Sequence, residues 1–249
     1  MNMLPIPFGA EYARSTRWST FQRLYVRIFG VVDLPTRIRA RLIREEAGRA
    51  PWNSMIDVAS GIGNYAFFFA RDPHKSVEAV EIDESRVADA VEIGGRLGRT
   101  NLRFVCGDGA AVLSGWRSGA TDLITVIEAL ELFSDIPAVL RDCYRILRPG
   151  GRLVIHVPVL GYLRPHEREL TNDTNLKRYV ADAGFTMLTY KRTLGGAHRA
   201  LCKAYSGIRN PAAVAIAFPF LLAASIVVPG ESSDGDYRLI VAQRPDERV

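Results

Sequence analysis

Cysteine and lysine are scarce in this sequence. The three cysteines, Cys106, Cys143 and Cys202, are odd in number and far apart, which excludes a disulfide framework and any paired metal-binding motif. Free thiols in a reducing compartment follow. Of 32 basic residues 28 are arginine, and they are spread along the chain. Without a dense basic-aromatic tract there is no RNA platform, and nucleic acid is not an expected partner. No leader is expected either, because Met1 to Arg14 shows no basic start followed by an apolar core; the expected location is the cytoplasm. There is no internal repeat and no low-complexity tract. Long apolar runs are limited to one uncharged stretch, Pro211 to Pro229. It has 17 residues between its flanking prolines and is interrupted by Pro219, which argues against a membrane span.

What is present suits one elaborated α/β domain. A chain of 249 residues, 48% hydrophobic and 24% charged with a formal charge of +5, can bury a full core. Met55 to Val58 is a short apolar run carrying Asp57, and reads as a buried strand. Ala59, Ser60, Gly61 and Gly63 supply a small-residue turn, and Tyr65 to Ala70 continues as an apolar helix. Strand, turn and helix in that order bring backbone amides close to a ligand at the carboxyl end of a strand. Lys75 to Glu81 is a second strand ending in an acid, 20 residues after Gly61, placed to accept both hydroxyls of a ribose. Asn101 to Val105 is a third strand, running into Cys106-Gly107-Asp108-Gly109-Ala110. The turn is not G-x-G-x-x-G, which sets aside a nicotinamide-dependent oxidoreductase.

These three strand ends resemble motifs I, II and III of the class I S-adenosylmethionine-dependent methyltransferases. Residues 121–131 and 147–155 resemble the two motifs that follow, so the likeness covers about residues 52 to 195. It points to the small-molecule, ubiquinone/menaquinone-methyltransferase-like group. It implies an α/β fold with a Rossmann-like seven-stranded mixed sheet in order 3-2-1-4-5-7-6, strand 7 antiparallel, with helices on both faces and a helical cover. Residues 1–50 would be that N-terminal cover. Residues 51–249 would be the methyltransferase domain, with an apolar helical insertion at about 205–230.

Along the chain, Trp18, Phe21, Leu24, Tyr25, Ile28 and Phe29 fall at helical spacing. A second helix starts at Asp33-Leu34-Pro35 and carries Arg37, Arg39, Arg41 and Arg44. Asp83 or Ser85 caps the helix that runs to about Leu97. Asp122 to Ile127 is a strand, and Pro137 to Leu147 a helix ended by Pro149-Gly150-Gly151. Arg152 to Val157 is the fifth strand and Leu170 to Ala183 a helix. Thr186 to Arg192 and Tyr237 to Gln243 are the last two strands. The uncharged 211–229 stretch is open to several readings: a lid on an apolar pocket, plain core, a partner interface or a membrane-dipping surface.

The resemblance assigns roles to particular residues. S-adenosylmethionine is the implied cofactor and S-adenosylhomocysteine its product. Asp57 would orient the turn and face the cofactor's amino-acid tail, and Ala59, Ser60, Gly61 and Gly63 would pack on tail and ribose. Position 59 is often glycine in the family, and alanine stands there in this chain. Glu81 would take the ribose hydroxyls, Ile82 would lie against the adenine, and Asp108 would accept from its amine. Gly107, Gly109 and Ala110 complete that edge. Glu128 and Glu131 follow strand 4, where the acceptor meets the methyl group. Glu128 would touch the cofactor, act as base, or cap the next helix. Leu132 replaces the histidine common in small-molecule members. His166, with Tyr162, Arg164 and Glu167 nearby, is then the candidate base, and His156 a structural residue of strand 5. No metal is expected. The implied acceptor is an apolar small molecule: a quinone, an isoprenoid, a polyketide-like product or a lipid-linked intermediate. A phosphate on it would find partners among the N-terminal arginines. The reading from another class is a non-catalytic module that binds the cofactor and docks a partner or membrane.

Overall fold

The computed structural model describes residues 34–159, 173–206, 216–217, 219–220, 223–224 and 226–246. Seven strands form one sheet: β1 (Ser54–Val58), β2 (Ser76–Glu81), β3 (Leu102–Cys106), β4 (Thr121–Ile127), β5 (Leu147–Pro158), β6 (Thr186–Thr193) and β7 (Tyr237–Gln243). Their order is β3-β2-β1-β4-β5-β7-β6. β7 runs antiparallel to β5 and β6, and the other pairs are parallel. This is the expected topology. The central strands β1 and β4 are buried at nearly every position because helices cover both faces of the sheet, leaving no solvated side.

The helices are α1 (Leu34–Ala47), α2 (Asn64–Phe69), α3 (Glu84–Arg96), α4 (Gly109–Ser114), α5 (Ile136–Ile146), α6 (Asp173–Asp182) and α7 (Gly196–Ser206). Strand side chains alternate between the faces. Met55, Leu123, Val154 and Leu239 pack with Ile38, Leu42 and Ile43 of α1 and Leu201 of α7. Ile56, Ile124, Leu153 and Ile240 pack instead with Leu113 of α4, Leu140 of α5 and Leu176 and Val180 of α6. Asp83 caps α3, its carboxylate accepting from the amides of Ser85 and Arg86.

One boundary differs from expectation. Pro149-Gly150-Gly151 does not end α5, which closes at Ile146; the three residues lie inside β5. The register shifts between the Thr121–Leu147 and Leu123–Arg152 pairs. There the Gly150 amide donates to the Arg244 carbonyl at 2.8 Å, and the Arg244 amide donates to Gly151 at 2.9 Å. Proline and two glycines thus form a bulge at the sheet margin, which the same residue types permit as readily as a helix stop.

Two arginines fix α1 in place. The buried Arg152 guanidinium donates to the carbonyls of Glu46, Ala47 and Ala50 at 3.2, 3.0 and 2.9 Å, filling the unpaired carbonyls at the helix end. Arg41 donates to the carbonyls of Ile226 and Val228 at 2.6 and 2.7 Å, tying α1 to the end of the uncharged stretch. Of that stretch, residues 216–217, 219–220, 223–224 and 226–227 are helical. Ala224 and Val228 pack on the α1 face of the core, while Ile216, Phe220, Ile226 and Val227 are exposed. No helix among the described residues is long and apolar enough to cross a membrane. The helix expected over residues 18–29 lies outside the described residues.

Candidate active site

Because β1 to β5 are parallel, their carboxyl ends meet at one edge, and that edge collects most of the predicted residues. β1 delivers Asp57, β2 ends in Glu81, and β3 leads to Asp108. At the centre the chain leaves β1 through Ala59, held at φ 53°. That left-handed conformation suits glycine and strains alanine, so the departure at position 59 carries a backbone cost. Gly61 (φ +59°) and Gly63 (φ +76°) follow in the same region. A Cβ on Gly63 would stand 2.9 Å from the Phe104 ring, whereas one on Gly61 would meet nothing within 4 Å among the described residues. Gly63 is packed against protein, and Gly61 borders open space.

The two sides of this turn are joined by Glu81. Its carboxylate accepts from the Gly61 amide at 2.7 Å and from the Asp83 amide at 3.1 Å. Each oxygen has a further lone pair, so the carboxylate can take two hydroxyls while staying in place. Ile82, next in sequence, is 66% exposed, an apolar face presented to the cleft. Asp108 caps α4, accepting from the Ala111 amide at 3.0 Å, which puts Gly109 and Ala110 in the first turn. The Gly107 amide donates to the Glu81 carbonyl at 2.9 Å.

Asp57 is buried, and its Oδ1 accepts from the Thr125 hydroxyl at 2.6 Å. Burial pushes its carboxyl pKa up to about 7, opposed by hydrogen bonds from the Thr125 hydroxyl and the Ala66 backbone, with the nearby Glu81 charge adding a smaller rise. Asp57 Oδ2, Ser60 Oγ and Asn64 Oδ1 are all buried without a hydrogen-bond partner among the described residues. Orphaned buried polar atoms are uncommon, and these three belong to one strand-turn-helix segment.

Across the edge, β4 is followed by Glu128, also left-handed at φ 52°, with its amide donating to the His156 carbonyl at 2.6 Å. Glu128 caps no helix; its carboxylate is paired with Arg39 of α1. Arg39 Nε also donates to the Tyr65 hydroxyl at 3.3 Å. Glu131 is buried in a short 3-10 turn, Leu130–Leu132. His156 is buried in β5, its Nε2 3.1 Å from Thr193 Oγ1 and its ring stacked on Tyr237 at 5.0 Å. Burial, then the charges of Arg39 and His198, hold its pKa well below the usual imidazole value, so it is neutral and structural. His166, Tyr162, Arg164 and Glu167 lie outside the described residues. Among the described residues no three His, Cys, Asp or Glu side chains are grouped so as to hold a metal ion. Sequence reasoning did not single out the Arg39–Tyr65–Glu128 cluster: its members come from three elements, and no local spacing relates them.

The sheet is Rossmann-like in this order, with an acid ending its second strand beside a glycine turn. Residues 56–155 match the family model described as a methyltransferase domain. The ubiquinone/menaquinone biosynthesis C-methyltransferase UbiE of Dinoroseobacter shibae is 31% identical over 108 residues, 41% of this chain and 40% of that protein. The nocamycin O-methyltransferase of Saccharothrix syringae is 33% identical over 146 residues, 55% of this chain and 50% of that protein. The chain therefore spans only 40% and 50% of the length of these curated relatives. Among solved structures, the cyclase SpnF shares the fold with a TM-score of 0.61 at 20% identity, covering 84% of this chain and 82% of that one. S-adenosylmethionine is the cofactor that the sequence resemblance implies, and the residues present fit it. The turn has an open side at Gly61, orphaned polar atoms for a zwitterionic tail, and a carboxylate with lone pairs to spare.

Proposed function

We propose that the chain transfers a methyl group from S-adenosylmethionine to an apolar small-molecule acceptor: a quinone, an isoprenoid, a polyketide-like product or a lipid-linked compound. The observation that carries the reading is the Glu81 carboxylate fixed by the Gly61 and Asp83 amides, beside the three unpartnered buried atoms of Asp57, Ser60 and Asn64. In this reading Glu81 takes the ribose hydroxyls, Ile82 and Asp108 hold the adenine with the backbone of Gly107, Gly109 and Ala110, and Asp57 with residues 59–63 faces the tail. Bound there, S-adenosylmethionine supplies an electrophilic methyl group on a sulfonium. The chain's own contribution is to align the acceptor with that methyl and to exclude water. Glu128 and Glu131 follow β4 at the acceptor side, with His166 as the candidate base. Residues 1–50 act as cover and 51–249 as the catalytic unit. Exposed Ile216, Phe220 and Val227 support an apolar acceptor, as do relatives named for quinone biosynthesis and for nocamycin. An acceptor phosphate would need arginines other than Arg41, whose guanidinium is engaged by carbonyls.

Calorimetric titration with S-adenosylhomocysteine tests the cofactor site. Micromolar binding, about 8 kcal/mol, weakened in both Glu81→Ala and Asp108→Ala, is the expected result. A folded wild type that does not bind ends the reading.

A second reading, a cofactor-binding module that docks a partner or membrane without transferring methyl, draws on the same exposed apolar residues. The fold does not decide against it, since a cyclase shares that fold. Consumption of S-adenosylmethionine with a panel of apolar acceptors separates the two: turnover with any of them excludes the module.

A further inference from the structure

Arg39 projects from α1 to the carboxyl edge of the sheet, between the first turn of α2 and the end of β4. Its Nε donates to the Tyr65 hydroxyl and its Nη1 is paired with Glu128. A guanidinium has five N–H donors in a planar fork, so these two partners leave donors over. The Arg39 and Glu128 side chains are 20% and 30% exposed, while the paired Glu128 Oε1 is itself buried, so an incoming anion meets the pair from its open side and takes the carboxylate's place. Glu128 holds its position at a cost, since φ 52° is a strained conformation for a residue with a Cβ. Such strain gathers at functional sites, where the surroundings impose it. Other groups also feel Arg39: its charge helps keep His156 neutral and lies near the Tyr237 hydroxyl, as do Glu128 and Glu131. The carboxylate shown against Arg39 is that of Glu128, and His156 adds no positive charge.

We propose that Arg39 is the anion-holding residue of this site: it takes one anionic oxygen of a ligand in exchange for Glu128, which holds the guanidinium in position until then. The inference rests on the methyl-transfer reading and deepens it. The shared chemistry is a carboxylate or an ionised enol or phenol. Its source is either the amino-acid tail of the cofactor or an acidic hydroxyl of the acceptor. An acceptor oxygen held there stays ionised, which favours it as the nucleophile.

Four ligands distinguish these outcomes by calorimetry on wild type, Arg39→Gln, Arg39→Lys and Glu128→Gln. They are S-adenosylhomocysteine; 5′-methylthioadenosine, which lacks the tail; 2-hydroxy-1,4-naphthoquinone, ionised at neutral pH; and its neutral 2-methoxy counterpart. The two naphthoquinones are titrated with S-adenosylhomocysteine present. If the tail is the source, Arg39→Gln weakens S-adenosylhomocysteine by about tenfold or more, as for loss of a charge-assisted hydrogen bond. Binding of 5′-methylthioadenosine is then unchanged. If the acceptor is the source, S-adenosylhomocysteine is unaffected and the wild-type preference for the ionised naphthoquinone disappears. In either case Arg39→Lys retains part of the effect, and Glu128→Gln tightens the anion by removing its competitor. Arg39→Gln binding all four ligands as wild type does overturns the proposal, as does an equal loss of both nucleosides, which marks a merely structural role. Should Arg39→Gln not fold, Glu128→Gln decides, and unchanged affinity for both anions overturns the proposal. A wild type that binds no S-adenosylhomocysteine is a different failure, that of the methyl-transfer reading itself.

Discussion

Glu81 and Glu128 are both carboxylates at the carboxyl ends of parallel strands, yet they are held by opposite means. Glu81 is gripped by two backbone amides, one from the turn after β1 and one two residues further along its own chain. Glu128 is gripped by a side chain from α1, and its own backbone is strained. Main-chain donors cannot be replaced by substitution and hardly move, so the β1–β3 side of the cleft is rigid and suited to an invariant ligand. A side-chain pair can exchange partners, so the β4 side can adapt to a variable one. The same cleft thus has a fixed half and an adjustable half.

The contrast is broken or kept most directly at Glu81. Glu81→Ala removes the acceptor of two amides and of the proposed ribose hydroxyls. We expect S-adenosylhomocysteine affinity to fall by about a hundredfold, or about 3 kcal/mol, as for two charge-assisted hydrogen bonds. Circular dichroism should be unchanged. An affinity within twofold of wild type would show that the rigid half is not where the nucleoside sits.

Asp57 gives the next largest effect, as a pH dependence of stability. Its native pKa of about 7 lies above the usual 3.8 because burial penalises the charge. Between those values the native state holds a proton that the unfolded chain has released. Stability therefore falls as pH rises through that interval and levels off above it. Ligand-free protein should lose about 2 kcal/mol between about pH 5 and 7 from this group, measured by urea midpoints. Asp57→Asn, which keeps an oxygen for the Thr125 hydroxyl, should flatten the slope. A slope that rises with pH and is insensitive to the substitution would contradict the assignment.

The rigid half was legible in the sequence for a physical reason. Asp57, Gly61, Glu81 and Asp108 act through strand ends and turns, and a parallel sheet brings strand ends together whatever the loops do. Sheet order and β7 direction came instead from the family resemblance. The Pro149-Gly150-Gly151 boundary was missed because a bulge and a helix stop use the same residues, and only the pairing with Arg244 decides between them. Arg39 was visible as one of several arginines on a helix, but nothing in its neighbourhood indicated Tyr65 or Glu128. Side-chain pairs between distant elements leave no periodic trace.

Within the rigid half, the two turn glycines sharpen the contrast between packed and open sides. Gly63→Ala combines left-handed backbone strain with a Cβ 2.9 Å from the Phe104 ring, and should cost about 2 kcal/mol of stability. Gly61→Ala meets nothing within 4 Å among the described residues and should cost only the backbone strain, about 1 kcal/mol. Its Cβ would face the cleft, so cofactor affinity should drop more than stability does. Equal effects of the two substitutions on both quantities would mean that Gly61 does not border the ligand.

The smallest effect tests how the adjustable half is anchored. Arg41, two residues from Arg39 on α1, donates to the carbonyls of Ile226 and Val228 at 2.6 and 2.7 Å. A cation at that place satisfies carbonyls that a helix end leaves unpaired. Arg41→Ala should cost about 1 kcal/mol, since the freed carbonyls can turn to water where they are exposed. The informative readout is local: hydrogen exchange of the Val228 amide, which donates to the Ala224 carbonyl at 2.8 Å, should accelerate, while that of β1 and β2 stays as in wild type. If Arg39 is held in place from the same helix, S-adenosylhomocysteine affinity should move little in Arg41→Ala, because Arg152 still secures the far end of α1 through three carbonyls. A large affinity loss would instead mean that α1 is positioned from the apolar segment, so that a ligand or surface bound to that segment would act on Arg39 through it.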